Sequence, residues 1–210
     1  MYTLYFSPGT ASFAVHWMLN EMAVPHELVP VDLDSKQQKS AEYMKLNPSG
    51  MVPTLVVDGM PRTECAALLL LLAERHPQVM LAPNTDSRER AEYLQWMFYF
   101  ANTAQPAFRA WFYPHEPAGE GNVEAAKAQA RHMIEAIWDR VNVQLAEKKF
   151  VIGNQLSAVD FFAAMLMRWS RNMPKPATAW PNIESYVRSM RDRPSYVQTH
   201  RIEKLADWLN

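Results

Sequence analysis

The chain has 210 residues, 49% of them hydrophobic and 20% charged, with a net charge of −1. That balance gives no electrostatic reason to expect nucleic acid as a partner, and the longest apolar run, residues 65–73, is far too short to span a membrane. The start of the chain has no basic segment leading into an apolar stretch and cleavage site, which speaks against secretion, and the lone cysteine, Cys65, rules out an intrachain disulfide and fits a reducing cytoplasm.

In chain order, the first eighty or so residues alternate strand and helix. Residues 3–7 read as a strand that breaks at Pro8-Gly9, and residues 12–23 follow as a helix with Phe13, His16, Trp17 and Asn20 on one face. Residues 27–33 read as a second strand, which Pro30 assigns to a sheet edge. Residues 40–46 form a short polar helix that stops before Asn47-Pro48. A hairpin is expected from residue 54, turning at Asp58-Gly59, and residues 64–75 make a strongly apolar helix closed by His76-Pro77. The order βαβ then ββα predicts a parallel pair with a right-handed crossover, extended by the hairpin.

From about residue 86 the pattern becomes helical, and six of the seven tryptophans lie beyond residue 90. Residues 82–87 read as a linker. A helix over 88–113 is kinked or interrupted by Pro106. Residues 114–122 read as a loop, and a long helix over 125–145 carries its apolar stripe through Ile134, Ile137, Trp138 and Val141. A buried helix then starts at Ser157, with Asp160 placed to answer it in a capping box and Leu156 and Phe161 placed as a hydrophobic staple. A last helix covers 183–191, with a tail to Asn210. The division is therefore a small α/β domain over 1–80 and an all-helical domain over 87–210.

Four motifs in this order, "YFSPGTAS", "NPSGMVPTLVVDG", "TECAALLLLLAERHP" and "QLSAVDFFAA", resemble those of the cytosolic glutathione transferases, bacterial members above all. The resemblance covers essentially the whole chain. It implies a thioredoxin-like N-terminal domain, a helical C-terminal domain, a cytoplasmic homodimer with a role in detoxification, and a glutathione site mainly on the first domain, with glutathione as co-substrate and no metal.

The resemblance also assigns residues. Met51, Val52 and Pro53 match the family's Val-Pro, where the proline follows a cis bond and the Val52 backbone pairs with the cysteinyl part of glutathione as an added strand does. Glu64 would take the γ-glutamyl ammonium, and the Cys65 N–H, at the positive end of a helix, the γ-glutamyl carboxylate; the usual hydroxyl is here a thiol, a weaker donor. Lys36 and Gln38 could reach the glycyl carboxylate. The family supplies Tyr, Ser or Cys near the first turn to hold the thiolate, but here Phe6 and Ala11 occupy two of those positions. Thr10 occupies the serine position and keeps a hydroxyl. The catalytic candidates are therefore Thr10 and, as the alternative, Ser12, which reads first as the cap of the first helix; backbone N–H groups of the turn are the third possibility. One donor is nearly enough: bringing a thiol of pKa about 8.5 to neutrality takes about 2 kcal/mol, and one hydrogen bond to a charged group contributes about 1.5–3 kcal/mol.

A second substrate, an apolar electrophile, is expected in a pocket between the domains walled by Phe13, Phe108, Trp111 and Phe112. Bacterial relatives often carry a histidine in that helix, where Gln105 stands here, and His16 reads as an interdomain packing residue. The activity implied is glutathione conjugation. The alternatives are a glutathione-binding protein of the same fold with little turnover, or a glutathione-dependent peroxidase, dehalogenase or isomerase.

Overall fold

In a computed structural model residues 1–208 are described, and the chain divides into two units, one of Met1–Ala82 together with the C-terminal stretch from Met190, the other Pro83–Ser189. The last two residues of the expected tail, Leu209 and Asn210, lie outside the described residues.

The first unit is built on a four-stranded sheet of order β2-β1-β3-β4. Strand β1 (Tyr2–Phe6) runs parallel to β2 (His26–Pro30) and antiparallel to β3 (Thr54–Val57), which turns into β4 (Met60–Arg62). Leu4 and Leu55 face each other in register and are both fully buried, which fixes the pairing, since a one-residue slip would turn both to the opposite face. Strand β2 is the edge strand that Pro30 required, and it ends there, three residues earlier than the apolar pattern suggested. Asp32 stops it: its Oδ1 accepts from the N–H groups of Asp34 (3.0 Å) and Ser35 (3.2 Å), bending the chain into a turn. The crossover helix α1 (Ser12–Glu21) packs on β1 and on α3 (Cys65–Arg75), and the short α2 (Ala41–Leu46) starts at Ser40, whose side chain accepts from the Tyr43 N–H.

The expected division 87–210 does not hold at its C-terminal end. What reads in the sequence as a tail contains a helix over Pro194–Ile202, and it packs against α1 in the first unit. The stripe of α1 meets it residue by residue. Phe13 lies against the rings of Tyr196 and His200, Trp17 Nε1 donates to Ser195 Oγ at 2.9 Å, and Asn20 Nδ2 donates to Thr199 Oγ1 at 2.8 Å. His16 therefore packs within its own unit, not between domains.

The second unit is helical. Helices α4 (Glu89–Tyr99) and α5 (Gln105–Phe112) are separated by a wide π-type turn over Phe100–Ala104. This is the interruption expected from Pro106, which has no N–H for the preceding turn and whose ring needs the room that a wider turn provides. The expected loop after it contains the short α6 (His115–Ala118). The long α7 (Val123–Gln144) buries Ile134, Ile137, Trp138 and Val141, and α8 (Ala158–Trp169) lies buried over nearly its whole length. Ser157 and Asp160 form the expected capping box: the Ser157 side chain accepts from the N–H of Asp160, and an Asp160 oxygen accepts from the Ser157 N–H at 2.8 Å. Helix α9 (Pro181–Arg191) follows, and the helix over Pro194–Ile202 is α10.

Candidate functional site

Three segments of the first unit meet at the C-terminal end of β1. The register Tyr5↔Thr54 sets the residues before β3, Val52 and Pro53, beside the end of β1, where Ser7 opens the turn Pro8-Gly9-Thr10. The third segment is the N-terminus of α3, held to the turn by the Cys65 thiol, which donates to the Ala11 carbonyl at 3.3 Å.

The turn is a closed hydroxyl network. Thr10 Oγ1 donates to the Ser7 carbonyl at 2.7 Å and lies 2.9 Å from Ser12 Oγ. Ser12 Oγ is 3.0 Å from the same carbonyl and accepts from the Ser7 N–H at 3.2 Å. Ser12 is fully buried, whereas Thr10 is partly exposed, although the hydroxyl of each is bonded within the turn. Nor is Ser12 the helix cap. Ala11 occupies the capping position, with no side-chain bond, and Ser12 is the first helical residue with its hydroxyl turned back into the turn. The amides of Gly9, Thr10 and Ser12 are already donated, to Glu203, to the Ser7 carbonyl and, at a long 3.4 Å, to Thr10 Oγ1.

Glu203, just beyond α10, was invisible to sequence reading, being 194 residues from the glycine it holds. Its carboxylate accepts the Gly9 N–H at 2.8 Å through one oxygen and His16 Nδ1 at 2.7 Å through the other, with both side chains fully buried. The carboxylate thus ties the turn's backbone to a buried imidazole of α1. Next to this pair, burial lowers the pKa of His26, and the charge of His16 lowers it further. His16 had a signal, since a histidine on an apolar helical face needs a partner, but nothing local identified that partner.

The Val52–Pro53 bond is cis. Nearby, the Met51 carbonyl is taken by Asn47 Nδ2 and by the Tyr43 hydroxyl, both at 2.7 Å, and Asn47 and Tyr43 are buried. Among the described residues the Val52 backbone has no hydrogen-bond partner. Gly50, at φ +57°, admits no side chain: a Cβ there would sit 2.8 Å from the Gln38 carbonyl oxygen. The loop carrying Gln38 thus lies against the Val52 loop, and Lys39 Nζ ties the two by donating to the Ser49 carbonyl at 3.1 Å. Gln38 Oε1 is buried with no partner among the described residues, and Lys36, in the left-handed region at φ 59°, is exposed.

Glu64 precedes α3 at φ 67° and ψ 106°, a backbone conformation that side-chain-bearing residues rarely hold. It is exposed and caps nothing, so its carboxylate is free to meet a ligand beside the first N–H groups of the helix. The thiol of Cys65 does not join them. It is buried and spent on Ala11, and burial together with the charge of Glu64 pushes its pKa up, so this site offers a ligand only the backbone of residue 65.

The expected electrophile wall is reduced by half. Phe13 is 1% exposed and packs against Trp17, Tyr196 and His200; Phe108 is 0% exposed between Trp138 and Trp169. Both are core residues, because helical spacing cannot distinguish a pocket wall from a packed interior. Trp111, with Lys127 Nζ 4.8 Å over its ring, is half-buried, and Phe112 is exposed. Gln105 is half-buried at the start of α5. Among the described residues there is no cluster able to hold a metal ion and no helix long and apolar enough to cross a membrane.

Comparison with known proteins agrees over both units. The family model described as the glutathione S-transferase N-terminal domain matches residues 10–75, and that of the C-terminal domain matches residues 93–194. A glutathione S-transferase of Xanthomonas campestris pv. campestris is 28% identical over 191 residues, 89% of this chain and 91% of its own. A glutathione S-transferase of Escherichia coli O157:H7 is 28% identical over 193 residues, 91% and 93% of the two chains. Among solved structures, a glutathione transferase homologue from Sulfitobacter with bound glutathione superposes with a TM-score of 0.90 at 29% identity, covering 98% of this chain and 99% of its own. A sphingomonad glutathione S-transferase complexed with glutathione gives 0.84 at 29%, covering 97% and 100%.

Proposed function

The chain belongs to the glutathione S-transferase family, and from that premise we infer that it is a glutathione transferase, which binds glutathione as co-substrate on its thioredoxin-like unit and joins the sulfur to an apolar electrophile. The observation that carries the reading is the convergence at one sheet end of the hydroxyl of the partly exposed Thr10, an unpaired backbone at Val52 and a free carboxylate at Glu64 before the α3 N-terminus.

Each part of glutathione then has a partner of suitable chemistry. Glu64 takes the ammonium, the Cys65 N–H the adjacent carboxylate, Val52 the cysteinyl backbone, and Lys36 with Gln38 the glycyl carboxylate. Thr10 donates to the sulfur. Its single charge-assisted bond contributes about 1.5–3 kcal/mol, against the roughly 2 kcal/mol needed to bring the thiol to neutrality. Fixing the thiolate next to the electrophile supplies the rest, because it replaces a bimolecular encounter. Trp111 and Phe112 remain the aromatic candidates for electrophile contact. A cytoplasmic homodimer acting in detoxification completes the proposal.

The test is Thr10→Val, which keeps the shape and removes the donor. Ultraviolet titration of the bound thiolate should show its pKa raised by about one unit or more, since one unit corresponds to about 1.4 kcal/mol. Turnover of chlorodinitrobenzene should fall with it, while glutathione affinity falls less. An unmoved pKa would remove Thr10 from the role.

A further inference from the structure

The turn contains more hydroxyl chemistry than one donor needs. Two O–H protons, on Thr10 and Ser12, are shared among three oxygens: the Ser7 carbonyl and the two hydroxyl oxygens themselves. If both protons sat on the Ser7 carbonyl, the 2.9 Å contact between Thr10 Oγ1 and Ser12 Oγ would hold two lone pairs and no proton. One hydroxyl must therefore donate to the other. Ser12 Oγ already accepts from the Ser7 N–H at 3.2 Å, and Thr10 Oγ1 donates to the Ser7 carbonyl at the shorter distance, 2.7 Å. The consistent assignment has Ser12 donating to Thr10 and Thr10 donating to the carbonyl.

We propose that this pair is a two-hydroxyl donor chain ending on the bound thiolate, in which buried Ser12 donates to Thr10 and Thr10 turns its own O–H from the Ser7 carbonyl to the sulfur. The proposal rests on the reading that Thr10 holds the thiolate. Only one hydroxyl rotates. The Ser7 carbonyl keeps the Thr10 N–H at 3.3 Å, Ser12 Oγ keeps the Ser7 N–H, and no donor is left idle. Ser12 is then a positioning residue, fully buried and unable to reach the ligand itself. It acts by giving Thr10 Oγ1 a proton, which strengthens Thr10 as a donor, since each bond in a chain of hydroxyls polarises the next. Without it, the best remaining donor to Thr10 Oγ1 is the Ser12 N–H at a long 3.4 Å.

The experiment is a double-mutant cycle on the whole enzyme, read as the pKa of the bound glutathione thiol, with S-methylglutathione affinity as the control because that ligand has no proton to lose. Ser12→Ala should raise the thiol pKa by about half a unit, a roughly threefold lower thiolate-to-thiol ratio at a given pH, with S-methylglutathione affinity unchanged. In the Thr10→Val background Ser12→Ala should add nothing, because the chain is already cut. A further rise in that background would mean that Ser12 acts through the turn's backbone, and would overturn the chain. No rise from Ser12→Ala alone, with Thr10→Val still effective, overturns the chain and leaves Thr10's role standing. An effect from Ser12→Ala with none from Thr10→Val overturns both. If Ser12→Ala does not fold, Ser12→Cys, which keeps a weaker donor, should give a smaller rise of the same sign, and no rise there is equally fatal.

Discussion

Glu64 carries two burdens at once, a backbone at φ 67° and a carboxylate with no partner in its own helix. Strain of this kind costs on the order of 1–3 kcal/mol and persists where the surroundings or the function demand it. Replacing it with Ala keeps the same backbone conformation and much the same strain, so Glu64→Ala isolates the charge. Glutathione binding should weaken about tenfold or more, the worth of a charge-assisted hydrogen bond, with little change in melting temperature. Isothermal titration showing equal affinity would end the assignment of the γ-glutamyl ammonium to Glu64. Cys65 should behave in the opposite way. Buried, hydrogen-bonded to Ala11 and with its pKa pushed up, it should resist alkylation in the native protein and react only on unfolding, which mass spectrometry after iodoacetamide treatment would register.

Helix α8 depends on its first turn. Asp160 is completely buried, and its carboxyl accepts from the Val151 N–H at 2.9 Å, the Ser157 N–H at 2.8 Å, the Ser157 hydroxyl at 3.0 Å and the Tyr186 hydroxyl at 3.0 Å. Burial still outweighs these donors and pushes its pKa up to about 6. Asp160→Asn would turn an NH2 against one of the two backbone N–H groups, so it should destabilise the fold by about 1–3 kcal/mol. The pH dependence follows from the sign. A carboxyl whose folded pKa lies above its unfolded value binds its proton more tightly when folded. Its contribution is therefore fully present below the unfolded value and is lost as the pH rises through the folded one, between about 4 and 6. Denaturant melts should accordingly show the gap between the natural chain and Asp160→Asn narrowing over that window. A gap that widens would contradict the raised pKa. Ser157→Ala, which removes the cap, should cost about 1 kcal/mol and leave glutathione affinity unchanged.

For the molecule as a whole, the C-terminal stretch is the decisive segment. It returns to the first unit, lays α10 along α1, and ends with Glu203 holding both His16 and the Gly9 N–H of the turn. Glu203→Ala would leave a buried imidazole and a buried N–H without an acceptor. Breaking a buried pair in this way costs about 3–5 kcal/mol, equivalent to roughly ten degrees in melting temperature for a chain of this size. Circular dichroism melts showing a change of only a degree or two would mean that the pair contributes little. The proposed homodimer is checked separately, by light scattering at micromolar concentration; a mass equal to a single chain would contradict it.

By itself the sequence determined what depends on local chemistry. Period-two and period-3.6 patterning located the strands and most helices, Pro30 identified the sheet edge, Pro106 the break in the helix, and Ser157 with Asp160 the cap, because each acts on its own backbone neighbours. Motif order carried the family, and the roles proposed for Val52, Pro53, Glu64 and Thr10 rest on that resemblance. The apolar face of α1 was equally plain, but the helix that covers it was not, since α10 lies more than 170 residues away and pattern alone does not name a partner. Only the tertiary structure decided that Ser12 is fully buried while Thr10 stays partly exposed, that the Cys65 thiol is spent on Ala11, and that Phe13 and Phe108 belong to cores. In each case the residue type was visible and its direction was not: direction is set by how the side chain packs in the folded chain, for Cys65 and Phe13 against groups distant in the sequence.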